Sequence, residues 1–386
     1  MKTYITGGTL VTPHRILPGY TLVIEGEKIV SIESGELALD PGAVVISAAG
    51  HWVCPGFIDV HTHGAVGVGA MDATPEAIHR MARFKAQHGV TSYLPTTWSA
   101  APDRVIKAIE NVAACPQPEE GAHHLGVHVE GPYLNVAHKG AQLPEVIRLP
   151  DPQEYEAWLE TGVVRLVTIA PELEGALDFV DRAVPDGVEF AIGHSGASYE
   201  EVVEAADHGV RQVTHLFNGM LGLHHRRPGT LGGCLVDDRL YAQLIVDGIH
   251  LHPAMVKLAV RAKSPARSIL ITDAIRGTGL PDGDYNFDGQ VMSVRDGVSH
   301  TPEGSLSGST LTMDQGLRNL INFTGLPLQE ALPMATAVPA ASIGLEGQKG
   351  VLAPGADADL IFLDAGLKVR KTMILGRTVY DWEKDL

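Results

Sequence analysis

The stretch Pro55-Gly-Phe-Ile-Asp-Val-His-Thr-His63 ends a short apolar run with two histidines separated by one residue. Side chains two residues apart in a β-strand project from the same face, so a strand here would bring His61 and His63 side by side. Two neighbouring imidazoles can bind one metal ion. The stretch therefore predicts a strand that carries metal ligands at its carboxyl-terminal end.

Seven further apolar runs follow this one, and amphipathic helical segments lie between them. Thr74 precedes Pro75 in the arrangement of a helix start, and Ser198 and Glu201 have the spacing of a capping box. Eight alternating strand and helix units predict an α/β fold with a (β/α)8 TIM barrel, whose active site lies at the carboxyl-terminal strand ends. We expect the barrel over residues 53–349, with strands in the runs 57–60, 92–95, 125–129, 163–169, 190–192, 213–216, 242–246 and 268–272.

Both ends of the chain have a different pattern, in which short β-type runs are separated by Gly-rich and Asp-rich turns. Such spacing is typical of a small β-sandwich. We expect residues 1–52 and 350–386 to pair into one β-sandwich domain beside the barrel. Its predicted strands cover residues 4–5, 9–11, 21–24, 28–32, 43–46, 359–363, 369–374 and 378–380.

Composition limits the classes of partner. The 386 residues carry a net charge of −17, which argues against nucleic acid and anionic membranes, and an anionic substrate would need a local basic pocket. The three cysteines form no Cys-x-x-Cys pair and are expected to be buried or idle thiols. The first residues break at glycine before any signal-peptide core, and no run approaches a membrane helix. We expect a cytoplasmic protein.

Four more ionisable residues follow predicted strands, namely Glu130, His194, His215 and Asp273. One histidine at a strand end is more often a hydrogen-bonded structural residue than a ligand. The whole set, together with the first two histidines, favours a catalytic site for a divalent metal such as zinc or iron. Asp273 is the best candidate to take a proton from an activated water, and its alternative role is that of a helix N-cap.

Several motifs together are more specific than any one residue. On these motifs the chain resembles the N-acetylglucosamine-6-phosphate deacetylase family of the amidohydrolase superfamily. The resemblance covers essentially the whole chain, and two of the motifs, 215–220 and 306–309, separate it from dihydroorotase-like relatives. The motifs are Pro55-Gly-Phe-Ile-Asp-Val-His-Thr-His-Gly64, His128-Val-Glu-Gly-Pro132, Gly193-His-Ser195, Thr214-His-Leu-Phe-Asn-Gly-Met220, Arg227-Pro-Gly229, Asp247-Gly-Ile-His250, Thr272-Asp-Ala274 and Leu306-Ser-Gly-Ser-Thr-Leu-Thr-Met313.

The resemblance implies a ligand set and a reaction. Glu130, His194 and His215 would hold the main metal, and His61 and His63 would hold a second ion with Glu130 as the bridge. One or two divalent ions per subunit are expected. Metal-bound hydroxide would cleave the N-acetyl group of N-acetylglucosamine 6-phosphate, giving glucosamine 6-phosphate and acetate. Asp273 would act as the general base and then as the general acid.

The same resemblance assigns the substrate pocket. Arg226, His250 and the backbone N–H groups of Asn218 and Gly219 would bind the phosphate, partly across the interface of a homodimer. The alternative for Arg226 is a place in a solvated surface loop. Ala141 and Gln142 stand where some relatives have a histidine that contacts the substrate, and glutamine can donate a hydrogen bond but cannot titrate. The backbone of Leu306, Ser307 and Gly308 would line the sugar pocket.

Three other functions remain as alternatives. The first is the same reaction on N-acetylgalactosamine 6-phosphate, an epimer that differs in one hydroxyl. The second is another amidohydrolase activity on a different N-acyl group or a cyclic amide. The third is a non-catalytic barrel that serves as a scaffold, which would have no need of six metal-directed side chains.

Overall fold

The computed structural model describes residues 2–12, 15–35, 37–287 and 290–384. Helices and strands alternate through its centre, and strands predominate at both ends. The strands are β1 (Lys2–Thr6), β2 (Thr9–Val11), β3 (Ile16–Pro18), β4 (Thr21–Glu25), β5 (Lys28–Glu33), β6 (Val44–Ser47), β7 (Trp52–Pro55), β8 (Phe57–Thr62), β9 (Gly64–Ala65), β10 (Val68–Gly69), β11 (Val90–Pro95), β12 (His123–His124), β13 (Val127–Glu130), β14 (Val164–Ile169), β15 (Glu189–Ile192), β16 (Gln212–Val213), β17 (Tyr241–Ile245), β18 (Ser268–Ile271), β19 (Gly283–Phe287), β20 (Gln290–Arg295), β21 (Val298–His300), β22 (Leu360–Leu363), β23 (Val369–Ile374) and β24 (Arg377–Asp381).

The α-helices begin where the sequence provides starting signals. The Thr74 hydroxyl accepts a hydrogen bond from the Ala77 N–H, and Ser198 and Glu201 form a complete capping box, so both predicted starts are confirmed. The helices are α1 (Pro75–Gln87), α2 (Pro102–Ala114), α3 (Pro152–Glu160), α4 (Ala176–Ala183), α5 (Tyr199–Asp207), α6 (Gly229–Val236), α7 (Pro253–Lys263), α8 (Met313–Thr324), α9 (Leu328–Ala331) and α10 (Ala337–Ser342).

The centre of the fold is α/β. Strands β13 to β18 form a parallel sheet in chain order, and β8, β11 and β12 form a second parallel sheet. The two sheets touch at both edges, because parallel bridges join Thr96 to His128 and Thr62 to Ala274. In addition, the Asp273 N–H donates to the His61 carbonyl at 2.9 Å. The carboxyl-terminal ends of these strands consequently meet on one side of the molecule.

Two sheets combine residues from both ends of the chain. A four-stranded sheet has the order β5-β4-β1-β6, and a six-stranded sheet has the order β24-β23-β22-β7-β2-β3. In the second sheet Leu360 of β22 lies opposite Pro55 of β7. Leu22, Val53 and Phe362 belong to one hydrophobic cluster shared by the two sheets. Strand β7 thus continues to Pro55, three residues beyond the boundary at residue 52 that the sequence predicts.

Strands β19 to β21 form a three-stranded antiparallel sheet that the sequence analysis did not anticipate. The insertion follows β18, and its buried Met292 and Val294 pack against Ile275. It leads directly into the segment 305–308, which reaches the cavity described below. The insertion was missed because its runs are short and interrupted by polar residues, so they resemble loop sequence.

Two expectations drawn from the sequence, on the cysteines and on membrane helices, can be compared with the structure. Cys54, Cys115 and Cys234 are free and buried, and burial raises the pKa of the Cys234 thiol to about 12. All three thiols are therefore buried, as predicted. Among the described residues, no helix combines the length and apolar character needed to span a bilayer.

A buried ion pair stabilises β8, the strand that leads to His61 and His63. Asp59 of β8 accepts a hydrogen bond from the Lys85 ammonium at 2.8 Å and another from the Thr272 hydroxyl at 2.6 Å. Removing one member of such a pair leaves an uncompensated buried charge. We expect Lys85→Met to lower the free energy of unfolding by about 3–5 kcal/mol. Urea unfolding of the variant measures this loss, and a stability equal to that of the wild type would contradict it.

Candidate metal centre and active site

Four histidine side chains converge on one carboxylate. Glu130 Oε1 lies 3.2 Å from His215 Nε2, 3.3 Å from His194 Nε2 and 3.4 Å from His61 Nε2. Glu130 Oε2 lies 3.3 Å from His63 Nε2. Both oxygens of one buried carboxylate are therefore engaged, as a bridging ligand would be.

The donor atoms fall into two groups, each of which could hold a metal ion. Glu130, His194 and His215 form one group, and within it the ligand atoms lie no more than 4.8 Å apart. The other group consists of His61, His63 and Asp273 within the same distance limit, and all six side chains are buried. Five of these residues are the ligands predicted from the sequence, and the sixth is the predicted catalytic acid and base.

The short distances between histidine ring nitrogens are those expected around a bound cation. His194 Nε2 lies 3.1 Å from His215 Nε2, and His61 Nε2 lies 3.3 Å from His63 Nε2. Two ring nitrogens at that distance cannot both carry a hydrogen, so each pair needs a shared proton or a cation. Imidazole and carboxylate donors are the set that zinc and iron accept.

The local backbone directs three of these side chains into the site. His194, His215 and Asp273 each follow a strand by two residues and have φ angles of +48°, +28° and +48°. For residues other than glycine this left-handed region costs about 1–3 kcal/mol each and persists only where the surroundings enforce it. Strain of this kind is typical of functional sites, and here it occurs at three candidate residues.

Two glycines of the sequence motifs have close approaches to these residues. A Cβ atom on Gly219, at φ +58°, would lie 2.9 Å from His194 Nδ1, and one on Gly308, at φ +56°, would lie 2.9 Å from the Asp273 carbonyl oxygen. Any larger residue would displace a candidate ligand or the candidate catalytic acid. Packing of the site therefore explains why glycine stands at both positions.

Charge is concentrated in the cluster. Burial opposes ionisation of Asp273, but His61 and His63 outweigh it and lower the pKa of the carboxyl to about 2. Burial likewise disfavours a charged His63, yet hydrogen bonds to Asp273 and Glu130 raise its pKa to about 10. Two buried carboxylates thus attract positive charge to the position of His63. A divalent cation would supply that charge in place of a proton.

Five of the six side chains of the cluster line a cavity of about 320 Å³. This volume is in the range of small-molecule sites. Its walls come from loops after several strands and from the segment 305–308. The lining residues are His63, Trp98, Glu130, Gly140, Ala141, Gln142, His194, His215, Asn218, Gly219, Ile245, His250, Asp273, Ser305, Leu306 and Gly308.

Two predicted substrate residues lie elsewhere. Arg226 is exposed in the turn formed by residues 224–227, and Ser307 is buried and does not line the cavity. The other seven, namely Ala141, Gln142, Asn218, Gly219, His250, Leu306 and Gly308, line the cavity. Within the described part of the chain, no lysine or arginine lines it. The basic pocket expected for an anionic substrate is thus not formed by lysine or arginine side chains of this cavity wall.

Two polar residues of the wall are held in fixed orientations. Gln142 Oε1 accepts a hydrogen bond from the Ser99 N–H, and its Nε2 donates to Glu130 Oε2, both at 3.0 Å. Gln142 is therefore in contact with a candidate metal ligand as well as with the cavity. His250 Nδ1 lies 2.6 Å from Asp247 Oδ2; burial lowers the pKa of His250, but this carboxylate outweighs it and raises the pKa overall.

Trp98 is the main cavity residue that sequence reasoning missed. Its ring centroid lies 5.1 Å from that of His63 in an edge-on arrangement, and it also packs against the cluster around Ile275 and Met292. Trp98 follows β11 by three residues. An aromatic residue directly after a predicted barrel strand is the signal that could have identified it.

Comparisons with known proteins agree with this geometry. The model of the amidohydrolase family matches residues 52–379. The chain belongs to the amidohydrolase family.

Within that family the chain is similar to deacetylases of phosphorylated amino sugars. It is 39% identical to N-acetylgalactosamine-6-phosphate deacetylase of Escherichia coli O157:H7, over 84% of this chain and 87% of the relative. It is 38% identical to N-acetylglucosamine-6-phosphate deacetylase of Vibrio furnissii, over 85% of this chain and 82% of the relative. The chain is also similar to a solved structure of a mutant N-acetyl-D-glucosamine-6-phosphate deacetylase from Mycobacterium smegmatis in complex with N-acetyl-D-glucosamine-6-phosphate. The two structures superpose with a TM-score of 0.90 at 33% sequence identity, and the match covers 98% of this chain and 99% of that one.

Proposed function

We propose that this protein hydrolyses the N-acetyl group of N-acetylglucosamine 6-phosphate, giving glucosamine 6-phosphate and acetate. The observation that carries the proposal is the pair of ligand groups in the wall of a cavity sized for a small molecule, with Glu130 of one group in contact with His61 and His63 of the other. The similarity to deacetylases over most of the chain supports the same reaction.

We further propose that the eight parallel strands β8, β11 and β13 to β18 close into a (β/α)8 barrel, which begins after β7, at residue 56, and extends to residue 349. The bridges at Thr96 and Thr62, which join the two parallel sheets at both edges, support closure. The two sheets built from both chain ends support a single β-sandwich domain of residues 1–55 and 350–386, in which β7 extends the predicted first segment by three residues. Enzymes on such barrels have their active sites at the carboxyl-terminal strand ends, where the ligand groups lie.

The ligand groups define where cations would bind. Glu130, His194 and His215 would hold one divalent ion, and His61 and His63 would hold a second with Glu130 between them. Zinc and iron suit these donors best. When bound, such an ion polarises the amide carbonyl and lowers the pKa of water, which makes a nucleophile available at neutral pH.

The protein's own residues carry the proton transfers. Asp273, with its low pKa, is ionised at neutral pH and can accept the proton of the attacking water. It then donates that proton to the departing amine nitrogen as the amide C–N bond breaks, and acetate retains the oxygen from water. Trp98 and Ile245 contribute apolar surface to the cavity, while Gln142 offers a polar contact to the sugar.

Binding of the phosphate needs a cation that one subunit does not place in the cavity. We propose that the chain forms a homodimer in which Arg226 reaches the neighbouring cavity, and that His250 and the backbone of Asn218 and Gly219 complete the phosphate site. The exposure of Arg226 and the absence of lysine and arginine from the described cavity wall support this arrangement. A guanidinium fork suits phosphate oxygens.

Arg226→Ala tests the phosphate site. We expect KM for the phosphorylated sugar to rise by roughly 10- to 100-fold, because a hydrogen bond to a charged group contributes about 1.5–3 kcal/mol, while metal content stays unchanged. Steady-state kinetics measures the rise, and Arg182→Ala, which removes an exposed arginine paired with Glu156, is the control. An unchanged KM would place the phosphate elsewhere.

Acetate release from three sugars tests the substrate. The three are N-acetylglucosamine 6-phosphate, its galacto epimer and unphosphorylated N-acetylglucosamine. We expect the phosphorylated gluco sugar to be turned over fastest and the unphosphorylated sugar hardly at all. The Escherichia coli relative makes the galacto epimer the second candidate, and faster turnover of that epimer would reverse the preference. Equal rates with and without phosphate would favour another N-acyl substrate.

A further inference from the structure

Two buried glutamines connect His61 to the end of α10. Gln243 Oε1 lies 3.1 Å from His61 Nδ1, and Gln243 Nε2 donates to Gln212 Oε1 at 3.1 Å. Gln212 Nε2 then donates to the Ser342 carbonyl oxygen at 2.9 Å. Gln212, Gln243 and His61 are all 0% exposed. We refer to Gln212 and Gln243 as the glutamine chain.

The hydrogen bonds of the glutamine chain can run in only one direction, from donor to acceptor. A backbone carbonyl can only accept, so Gln212 must present its amide nitrogen to Ser342 and its oxygen to Gln243. Gln243 must then present its nitrogen to Gln212 and its oxygen to His61. Consequently His61 Nδ1 carries the hydrogen, and the neutral ring leaves the lone pair of Nε2 free.

That lone pair faces the second ligand group. His61 Nε2 lies 3.3 Å from His63 Nε2, and it is 3.4 Å from both Glu130 Oε1 and Asp273 Oδ1. With the opposite tautomer, Nε2–H would donate to one of these carboxylates and occupy the place of a cation. A fixed Nδ1–H prevents this, and it also fixes the rotation of the ring.

We propose that Gln243, oriented by Gln212, is a positioning residue that keeps His61 ready to bind the second cation. The inference rests on the proposed function only in requiring that His61 and His63 take up a divalent ion. Every polar atom of the glutamine chain that the argument uses has a partner, as a buried network must to be stable. Neither glutamine lines the cavity, so substrate binding does not explain them.

Zinc binding to the purified full-length chain tests the proposal. Metal per chain and competition with a chelator are measured for the wild type, Gln243→Leu and Gln243→Glu. In Gln243→Leu the Nδ1 partner is lost, and we expect the zinc ion at His61 and His63 to bind about 10- to 100-fold more weakly, while the ion at His194 and His215 is unchanged. Gln243→Glu still accepts from Nδ1–H, so it should retain both ions.

Thermal melting separates positioning from a merely structural role. Gln243→Glu has no N–H for Gln212 Oε1, so its Tm should fall although both zinc ions are retained. Thr372→Val is the control, because it removes one buried hydrogen bond, to the Ala86 carbonyl, far from the ligand groups in sequence and outside the cavity. It should lower Tm without changing zinc affinity.

Three results would overturn the proposal. These are unchanged zinc affinity in Gln243→Leu, loss of the second zinc in Gln243→Glu, and a wild type that takes up only one ion under saturating zinc. Acetate release by the wild type is measured separately. An active enzyme with one ion would therefore reject the role of the glutamine chain while leaving the deacetylase function intact.

Discussion

Asp273→Asn is expected to lower kcat for acetate release by roughly 10²- to 10⁴-fold, the range that general acid–base catalysis contributes. The amide keeps the shape of the side chain but can neither accept the proton of water nor return one to the amine. Steady-state kinetics with N-acetylglucosamine 6-phosphate measures the loss. KM should change little, because the substituted group acts in the transition state rather than in binding.

The control for Asp273→Asn is Asp284→Asn. Asp284 is exposed on the inserted sheet and pairs with Arg295, so its amide variant should keep full activity. Metal content should largely survive in Asp273→Asn, since five of the six candidate side chains remain. Wild-type turnover by Asp273→Asn would remove this carboxylate from the mechanism.

Glu130→Gln is expected to abolish tight metal binding and, with it, activity. The Glu130 carboxylate contacts all four histidines, and a carboxamide presents an N–H group where a lone pair is needed. The loss of affinity should exceed the roughly 10- to 100-fold that removal of an outer hydrogen-bond partner costs. Elemental analysis after dialysis measures it.

Glu156→Gln is the matched control for that variant, because Glu156 is half-exposed and pairs only with a surface arginine among the contacts described. Its metal content and activity should equal those of the wild type. If Glu130→Gln retained both its metal and its turnover, the bridging role assigned to Glu130 would be wrong.

Much of the site could be predicted because the active-site residues of barrel enzymes lie at or just after the carboxyl-terminal ends of the strands. His61, Glu130 and Asp273 are marked in the sequence by the apolar runs that precede them, and their side chains meet because parallel strands end on one side. Sequence alone could not give the distances between them. It also could not reveal the positive φ angles at His194, His215 and Asp273, since those depend on the packing of the surrounding loops.

Features that depend on long-range contacts escaped prediction. The inserted sheet β19 to β21 has weak local signals and is held by contacts of Met292 and Val294 with Ile275. Gln212 and Gln243 look like ordinary polar residues in the sequence and acquire a role only because β16 and β17 lie beside each other. Arg226 was assigned through the family resemblance, and in the homodimer we propose its distance from the phosphate would depend on the second subunit.

Metal-dependent release of acetate from N-acetylglucosamine 6-phosphate tests the central claim most directly. The purified protein is stripped of metal with a chelator, divided, and assayed with and without added zinc or ferrous iron. The site geometry predicts negligible acetate release from the stripped protein and restored release, with an equal yield of free amine, after metal addition. A fully metal-loaded protein that releases no acetate from this sugar would contradict the assignment.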